Sequence, residues 1–569
     1  MKYEEVNFKM KKKLSFLLVL LLALATFLAA CGGNNNGNTA SNGGNGNGGN
    51  NGGEEEPAPE AKPQVLNLLE GSEIPSMDSS LATDSVSFLV MNNVYEGLYR
   101  LGENDEAVLG MAAEEPTISE DGKTYTFKIR EDAVWSNGDA VTANDFEYAW
   151  KKTLNPDTAA EYAYIMYDVK NAQKVNAGEL PVDELGVKAV DEKTLEVQLE
   201  TNVPYFKALL SFATFYPQNE AFVTEQGDQY GLEADTTLYN GPFVLNEWKH
   251  EQSFQLTKNA DYRESDVVKL EEINFNIVKD TATGVNLYET NKADIAGLSA
   301  EFVDQYKGDD NFKTRADTAV FFLRLNQENE VLSNVNARKA IDMAWDKQGL
   351  VDVLLNNGSI PANFLVPQEF VYGPDGTDFR ESNGNFNETD VAAAQEAWAK
   401  AKEEAGFEEV SLELLNYDSE SSKKIGEYLK EQLESNLDGL TVTISQQPFK
   451  QKLDLETKGE YDFSFAGWGP DYPDPMTFID MFVTDGAHNQ MGYSNPEYDK
   501  LVEEAKTTLL DDPEARWNAM LEAEKILFED AAISPMYQRG SAYLERPYVK
   551  GILRHAFGAD ASYKWAHIE

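Results

Sequence analysis

Short segments in which apolar and polar residues alternate run through most of the chain, and they restrict the fold that it can adopt. Tyr125, Phe127 and Ile129 show this period, which is typical of a strand with one buried face. The same alternation recurs at residues 195–199, 273–277, 321–325, 412–414, 442–444 and 461–465. Helical patterns lie between these segments, and one of them runs from a Thr389 cap to Gly406. Together they predict an α/β fold with mixed sheets.

The N-terminal segment follows a different pattern. Three lysines at positions 11–13 precede an apolar run over residues 14–28, and Cys31 follows the small residues Ala29 and Ala30. This order is typical of a secretory signal, and Leu-Ala-Ala-Cys matches the bacterial lipobox. We therefore predict a lipoprotein signal peptide over residues 1–30 and a lipid on Cys31. An ordinary secretory signal with a chance cysteine is the alternative.

Residues 31–64 are dominated by Gly and Asn and then by Glu and Pro. Such a composition cannot bury a core, so we predict a flexible tether. A lipid and a tether would hold a folded body at the outer face of a cell membrane without inserting it. A lipid-anchored protein of a Gram-positive bacterium is the expected setting.

The charge and the cysteine count exclude two classes of protein. The 569 residues include 48 Lys and Arg against 98 Asp and Glu, which gives a net charge of −50. A surface this acidic repels phosphate backbones, so no nucleic-acid partner is expected. A single cysteine cannot form a disulfide within the chain.

Sequence signatures of enzymes are missing. None of the four histidines belongs to an H-E-x-x-H motif, and no G-x-S-x-G motif occurs. Gly122-Lys123-Thr124 lacks the earlier glycine of a phosphate-binding loop, because position 117 is Thr, and it is interpreted as a hairpin turn. The Asp- and Asn-rich residues 375–387 could hold calcium, but their spacing is not that of a helix–loop–helix site. The prediction is a protein without catalytic residues, cofactor or resident metal.

Seven blocks in the expected order resemble a known family. They are GSEIPSMD (71–78), VYEGLY (94–99), YTFKIREDAVWSNGDAVTANDFEYAWKK (125–152), DELGVKAVDEKTLEVQLETNVPYF (183–206), YNGPFVLNEWK (239–249), VNARKAIDMAWDK (335–347) and FAGWGPDYPDP (465–475). The chain from about residue 65 to its end resembles the extracytoplasmic solute-binding proteins of peptide ABC importers, family 5, and above all the oligopeptide-binding proteins.

The resemblance implies a periplasmic-binding-protein-like type II clamp of class α/β. Two lobes with mixed sheets would be joined by a two-crossing hinge near Asn326 and Met536, and an extra domain would be inserted. The implied division is domain I at 65–97, 226–326 and 536–569, domain II at 98–225, and domain III at 327–535.

The resemblance also implies the ligand site. Asp471 would hold the peptide's α-ammonium group, Trp468 would wall a side-chain pocket, and residues 71–76 and 466–469 would pair with the peptide backbone. The implied ligand-binding residues are Asp471, Trp468, Gly467, Gly469, Glu73, Ile74, Tyr162, Phe449 and Tyr472. From the residues alone, both backbone segments would be read as a strand end and a turn, and each aromatic could equally be core.

One part of the family pattern is missing. The positions that carry cations for the ligand's carboxylate appear here as Ser422, Glu456 and Phe465. Nearby lysines could substitute for them, namely Lys423, Lys424, Lys452 and Lys458. Alternatively, the site does not hold the C-terminus, in which case amidating it would cost little affinity.

The implied function is the capture of extended oligopeptides and their delivery to an ABC permease pair with two ATPase subunits, by a protein expected to be a monomer. The same fold could instead bind a dipeptide, a sugar or a nickel chelate. A surface receptor for peptides or pheromones is a further alternative, and an extracellular hydrolase is the third.

Overall fold

The computed structural model describes residues 62–569. The predicted signal peptide, Cys31 and nearly all of the predicted tether lie outside the described residues. Within residues 62–569, no helix combines the length and the apolar character needed to cross a membrane.

The strands are short, apart from two long ones near the middle and the end of the chain. In chain order they are β1 Val65–Glu70, β2 Tyr99–Leu101, β3 Ala107–Leu109, β4 Thr117–Ile118, β5 Thr124–Lys128, β6 Val187–Asp191, β7 Thr194–Gln198, β8 Phe243–Lys249, β9 Ser253–Lys258, β10 Glu272–Ile277, β11 Ile295–Gly297, β12 Phe312–Leu325, β13 Ile360–Pro361, β14 Val410–Tyr417, β15 Leu440–Gln447, β16 Phe463–Trp468, β17 Ile533–Glu545, β18 Val549–Lys550, β19 Leu553–Arg554, β20 Ala561–Ser562 and β21 His567–Ile568.

Helices alternate with these strands. The α-helices are Ser85–Val94, Ala143–Leu154, Ala172–Asn176, Phe206–Leu209, Glu220–Gln226, Thr281–Glu289, Ala300–Tyr306, Val335–Met343, Lys347–Gly349, Phe379–Asn383, Val391–Ala405, Glu420–Asn436, Phe449–Thr457, Met476–Ile479, Pro496–Lys506 and Pro513–Glu529. Shorter 3₁₀ segments are Glu103–Asp105, Pro156–Thr158, Glu161–Met166, Val182–Glu184, Ala213–Phe215, Gly227–Gln229, Ala234–Thr236 and Asp480–Phe482, and Leu350–Leu355 is a π-helix.

Three larger sheets organise the molecule. One has the order β1-β10-β9-β8, another β4-β5-β7-β6, and the largest has seven strands in the order β11-β17-β12-β16-β14-β15, with β13 beside β17. In the largest sheet β14 is parallel to β15 and β16, whereas β12 is antiparallel to β16 and β17. The predicted α/β class with mixed sheets is therefore confirmed.

The predicted strands all appear, but one predicted helix cap is wrong. The helix Val391–Ala405 begins after Asp390, whose carboxylate accepts a hydrogen bond from the backbone N–H of Ala393 at 3.0 Å. Thr389 instead donates its hydroxyl to the carbonyl of Trp345 at 2.8 Å. Asp390 is the N-cap because its charged oxygen accepts a hydrogen bond from a free N–H group of the first turn. Gly406 ends the helix with φ = 72°, as predicted.

The strands β12 and β17 link two parts of the largest sheet. They pair along most of their length, with a register shift between Ala316 and Val320. On one side of the shift β17 also pairs with β11, and on the other side β12 pairs with β16. Asp317 lies in the interruption, where its carboxylate accepts hydrogen bonds from Arg539 and Ser541, each at 2.9 Å.

The two predicted hinge crossings fall at this strand pair, because Asn326 follows β12 and Met536 lies within β17. The three-domain division itself stays a prediction.

A buried ion pair fixes the helix Pro513–Glu529. Both guanidinium Nη atoms of Arg380 donate to the two carboxylate oxygens of Glu524, each at 2.7 Å. Glu524 has no exposed surface, and it also accepts hydrogen bonds from the backbone N–H groups of Leu365 and Val366 at 3.0 Å. A buried carboxylate whose oxygens accept this many hydrogen bonds is stable in a core, provided that every partner is present.

Candidate functional site

A cavity of about 300 Å³ lies between segments that are far apart in the sequence. Its walls are β12 and β16, the start of the helix Ser85–Val94, the 3₁₀ segment Glu161–Met166 and the helix Phe449–Thr457. Six of the nine predicted ligand-binding residues line it, namely Tyr162, Phe449, Gly467, Trp468, Gly469 and Asp471. Segments assigned by resemblance to three different domains thus meet in one cleft.

One wall of the cleft is a strand edge. Residues 465–468 of β16 pair with β12 on one side, while β14 pairs with β16 only at Phe463 and Ser464. In the described part of the chain, no strand therefore covers the other edge of residues 465–468. Such an edge presents N–H and C=O groups that an extended peptide can pair with. Gly467 keeps this strand close to β12, because an added Cβ would lie 2.6 Å from the Phe321 ring.

Asp471 follows directly on this edge and carries an unpaired buried oxygen. The residue is 5% exposed, and its Oδ1 accepts a hydrogen bond from the Tyr162 hydroxyl at 3.3 Å. Its Oδ2 is buried and has no hydrogen-bond partner within residues 62–569. Burial, together with the nearby Asp480 carboxylate, raises the pKa of Asp471 well above its usual range. A carboxylate in this state is suited to a positively charged partner that enters the cleft.

Aromatic rings surround Asp471. The rings of Tyr162 and Trp468 are parallel within 5°, with centroids 6.1 Å apart, and His488 packs edge-on against both, at 5.0 and 4.7 Å. The indole N–H of Trp468 is buried without a partner in the described structure. Phe449 lies further along the wall, 6.0 Å from the Tyr417 ring. These rings exclude water and leave polar atoms free for a ligand.

Glu73, Ile74 and Tyr472 do not line this cavity. The carboxylate of Glu73 accepts hydrogen bonds from the Trp248 indole at 2.5 Å and from a backbone N–H of the turn after β8. Ile74 is 1% exposed and belongs to the apolar core. Tyr472 stacks on Tyr205 with ring centroids 5.0 Å apart. These side chains hold the neighbouring segments in place, while Ser72 lines the cleft.

Arg324 is a cleft residue that the sequence analysis missed. It projects from β12, is 5% exposed, and donates from one Nη atom to the side chain of Gln490. Its Nε is buried without a partner, and no carboxylate of residues 62–569 lies within 4.0 Å of it. The other arginine of the cleft, Arg539, is paired with Asp317 at 2.9 Å. A charged residue within the apolar FFLRL strand was the signal that could have identified Arg324.

The four lysines considered for the ligand's carboxylate do not line the cavity. Lys452 is completely buried and pairs with Glu456 at 2.7 Å, and Lys424 pairs with Glu420 at the same distance. Lys423 and Lys458 are exposed. Arg324 is thus the cation with free hydrogen-bonding capacity that the described structure places in this wall.

The lining carries more carboxyl groups than cationic groups. Its carboxylates are Glu70, Asp84, Glu161, Glu456, Asp471 and Asp560, against Arg324 and Arg539. Burial raises the pKa of Asp84 to about 6, although Ser87 donates two hydrogen bonds to it. Burial also lowers the pKa of His488 to about 3, so this ring is neutral near pH 7. The cleft therefore favours cationic ligand groups.

Hydrogen bonds and ion pairs hold the two sides of the cleft together. Thr457 and Gln490 donate to the carboxylate of Glu161 at 3.1 and 3.3 Å. Lys279 pairs with Asp418 at 2.8 Å, and Lys450 donates to the carbonyl of Pro75 at 3.2 Å. The structure therefore represents a closed cleft.

Comparisons with known proteins agree with this architecture. The model of bacterial extracellular solute-binding proteins, family 5 Middle, matches residues 106–490. The dipeptide-binding protein DppE of Bacillus subtilis is 35% identical over 504 residues, which are 88% of this chain and 92% of the relative. The substrate-binding domain of an oligopeptide ABC transporter from Bacillus anthracis has a TM-score of 0.88 at 49% identity, covering 89% of this chain and 99% of that one.

A further solved structure is OppA of Listeria monocytogenes bound to peptide, with a TM-score of 0.86 at 45% identity over 89% of this chain and 99% of that one. These likenesses confirm the two-lobed type II clamp that the resemblance implied. The chain belongs to the bacterial extracellular solute-binding proteins of family 5.

Proposed function

We propose that this protein is the extracytoplasmic peptide-binding component of an ABC importer. The observation that carries the proposal is the buried, unpaired Oδ2 of Asp471 beside the uncovered edge of β16. Every unmodified peptide has an α-ammonium group and a backbone that can pair with such an edge, whatever its side chains are. The relatives named for peptide binding support the same ligand class.

In this proposal the site holds the ligand's ammonium group and backbone, so it does not select for particular side chains. The ammonium group lies at Asp471, the peptide backbone pairs with residues 466–469, and Ser72, from the predicted segment 71–76, contributes to the cleft lining. Tyr162, Trp468 and Phe449 shape the space for side chains. Binding then consists of capturing the peptide and closing domains I and III around it, and no catalytic step is proposed.

The proposal includes the location of the protein. Cys31 would carry the lipid, and residues 31–64 would let the folded body reach an ABC permease pair with two ATPase subunits from the outer face of the membrane. The Bacillus and Listeria relatives support a Gram-positive source. A monomer is expected, because one clamp contains a complete cleft.

Native mass spectrometry of the purified protein tests this proposal. We expect co-purified peptides as discrete added masses, and the same preparation of an Asp471→Asn variant is expected to lose them. A sugar or a nickel complex in the wild-type protein, with no peptide, would contradict the proposal.

A dipeptide is the second candidate ligand. The cavity of about 300 Å³ lies at the lower end of the range for small-molecule sites, and DppE of Bacillus subtilis is named as a dipeptide-binding protein. Fragmentation of the bound peptides decides between the two candidates, because it gives the number of residues, whereas a mass alone can fit both a dipeptide and a longer peptide.

The position of Arg324 leads to a prediction about the ligand's C-terminus. We expect amidation of a short bound peptide to weaken binding at least tenfold, because the amide removes the charge that the guanidinium would pair with. In an Arg324→Gln variant the acid and the amide should bind within about twofold of each other. Calorimetric titration with matched acid and amide peptides measures both effects.

The control for this experiment is Lys423→Gln, which removes a charge from an exposed residue outside the cavity. It should keep the wild-type difference between acid and amide. Equal affinities of the wild-type protein for the acid and the amide would mean that the C-terminus is not held, as the sequence alone suggested.

A further inference from the structure

The side chain of Gln490 contacts three separate segments of the chain at the wall of the cleft. Its Oε1 accepts a hydrogen bond from an Nη atom of Arg324 in β12, and its Nε2 donates to the Glu161 carboxylate at 3.3 Å and to the Thr457 hydroxyl at 3.2 Å. These partners belong to the segments assigned by resemblance to domain I, domain II and domain III, respectively. One amide group is therefore shared between three parts of the clamp.

The hydrogen-bonding roles of the partners determine how this amide is turned. A guanidinium group can only donate and a carboxylate can only accept, so the carbonyl oxygen of Gln490 faces Arg324 and its NH2 group faces Glu161. If the amide were turned over, donors would face donors and acceptors would face acceptors. The Glu161 carboxylate thus ensures that Gln490 presents an acceptor to Arg324.

The backbone around Gln490 is held in place as well. The Tyr461 hydroxyl donates to the carbonyl of Gln490 at 2.6 Å, and the backbone N–H of Gln327 donates to the carbonyl of Met491 at 2.8 Å. Tyr461 lies just before β16 and Gln327 just after β12, and these two strands pair with each other. What the three partners above restrict is therefore the rotation of the Gln490 side chain.

The acceptor that holds Arg324 is neutral, which leaves the charge of the guanidinium group uncompensated. Within residues 62–569, no carboxylate oxygen lies within 4.0 Å of it. Glu456 lines the same cleft, but its carboxylate pairs with Lys452 at 2.7 Å and accepts a hydrogen bond from Ser464 at 2.6 Å. Gln490 can therefore orient the guanidinium group while its charge stays available for a ligand carboxylate.

Glu161 reaches Gln490 from the segment assigned to domain II. It also accepts a hydrogen bond from Thr457 at 3.1 Å, so two bonds attach it to the segment assigned to domain III. Burial raises the pKa of Glu161, whereas the bond from Thr457 and the charge of Arg324 act in the opposite direction. Opening of the clamp would withdraw Glu161, and the amide of Gln490 would then be free to turn.

We propose that Gln490 is a positioning residue that couples the recognition of a ligand carboxylate by Arg324 to closure of the domain II segment. When Glu161 engages Gln490, the amide holds the guanidinium group in the orientation that a carboxylate pairs with. When Glu161 is withdrawn, that orientation is lost. The preference for a free C-terminus is then a property of the closed clamp. This inference rests on the proposed function and on the role of Arg324 within it.

Calorimetric titration of the purified full-length protein with matched acid and amide peptides tests the inference. The side chain of a Gln490→Met variant has a similar length but no amide. The acid should bind this variant about fivefold more weakly than the wild-type protein, as expected for one lost hydrogen bond, and the amide should bind within about twofold. A residue that only supports the fold would lower both affinities together. In an Arg324→Gln background, Gln490→Met should change neither affinity further.

Variants of Glu161 test the coupling to domain II. Glu161→Gln keeps an acceptor oxygen for Gln490 and should keep the wild-type difference between acid and amide, whereas Glu161→Met should reduce it as Gln490→Met does. The control is Gln229→Met, at an exposed residue outside the cavity, which should bind both peptides as the wild-type protein does. Melting temperatures verify that each variant folds.

The possible failures can be told apart. If the difference between acid and amide survives Gln490→Met or Glu161→Met, the inference is overturned while peptide binding stays intact. Equal affinities of the wild-type protein for acid and amide overturn the inference together with the role of Arg324, but not the proposed function. A wild-type protein that binds no peptide contradicts the proposed function and the inference with it.

Discussion

Replacing Asp471 by alanine is expected to weaken peptide binding at least tenfold. The carboxylate is buried in the cleft, its Oδ2 has no hydrogen-bond partner within residues 62–569, and in the proposed function it pairs with the ligand's ammonium group. Truncating one partner of a buried charge pair typically costs about 2–5 kcal/mol, much of it because the other charge is left unpaired. Isothermal titration with an unmodified peptide measures the loss, and unchanged affinity would refute the role of Asp471.

The unliganded protein provides the control. Because burial raises the pKa of Asp471, the folded state disfavours its ionised form, and the residue costs stability at pH values above the usual range for aspartate. Asp471→Asn should therefore keep or raise the melting temperature of the apo protein while it loses affinity. A falling melting temperature would indicate a structural role instead.

The same carboxyl group makes binding depend on pH. As the pH falls through the raised pKa of Asp471, the carboxylate takes up a proton and loses the charge that attracts the ammonium group. Affinity should decrease over that range, and binding should release protons there. Asp471→Asn should show neither effect, which titrations in buffers of different ionisation enthalpy can measure.

Replacing Glu524 by alanine is expected to lower the free energy of unfolding by about 3–5 kcal/mol, because it leaves the buried Arg380 guanidinium uncompensated. Arg380 is 7% exposed, and the change also removes the acceptor of two backbone N–H groups. Urea denaturation followed by circular dichroism measures the loss.

Glu522 is the matched control on the same helix. Its carboxylate pairs with Lys525 at 3.1 Å, and both side chains are about half exposed. Exposed pairs contribute about 0–1 kcal/mol, so Glu522→Ala should change stability little. A similar small effect of Glu524→Ala would contradict the importance of the buried pair.

The local elements of this fold could be predicted from the sequence, but their partners could not. Alternating residues located β5, β7 and β10, since one face of each strand is buried. The pairing of β12 with β17 places Val320 opposite Gln538, two residues far apart in the sequence, and no local pattern encodes that choice. One edge of β16 is uncovered because β14 pairs with it only at Phe463 and Ser464. The sequence does not show where that pairing ends.

The site was predictable only where a motif marks it. The resemblance pointed to Asp471 and Trp468 in one continuous block and to Tyr162 elsewhere, and in the structure all three line one cleft. It did not predict Arg324, which lies alone within an apolar strand. It also assigned Glu73 to the ligand site, whereas this side chain lies outside the cavity in the structure, because sequence position shows where the backbone runs but not to which side a side chain turns.

The pairing of β12 with β17 also constrains how the chain folds. Residues 327–532 lie between the two strands, and much of this segment can form local contacts among its own helices and β14–β16. The ends of the segment meet only when the long loop closes, which is entropically costly and slow. A late closure of this kind would add β12 to β16 last, so until then both edges of residues 465–468 would lack a neighbouring strand, and closure would leave only the edge that faces the cleft.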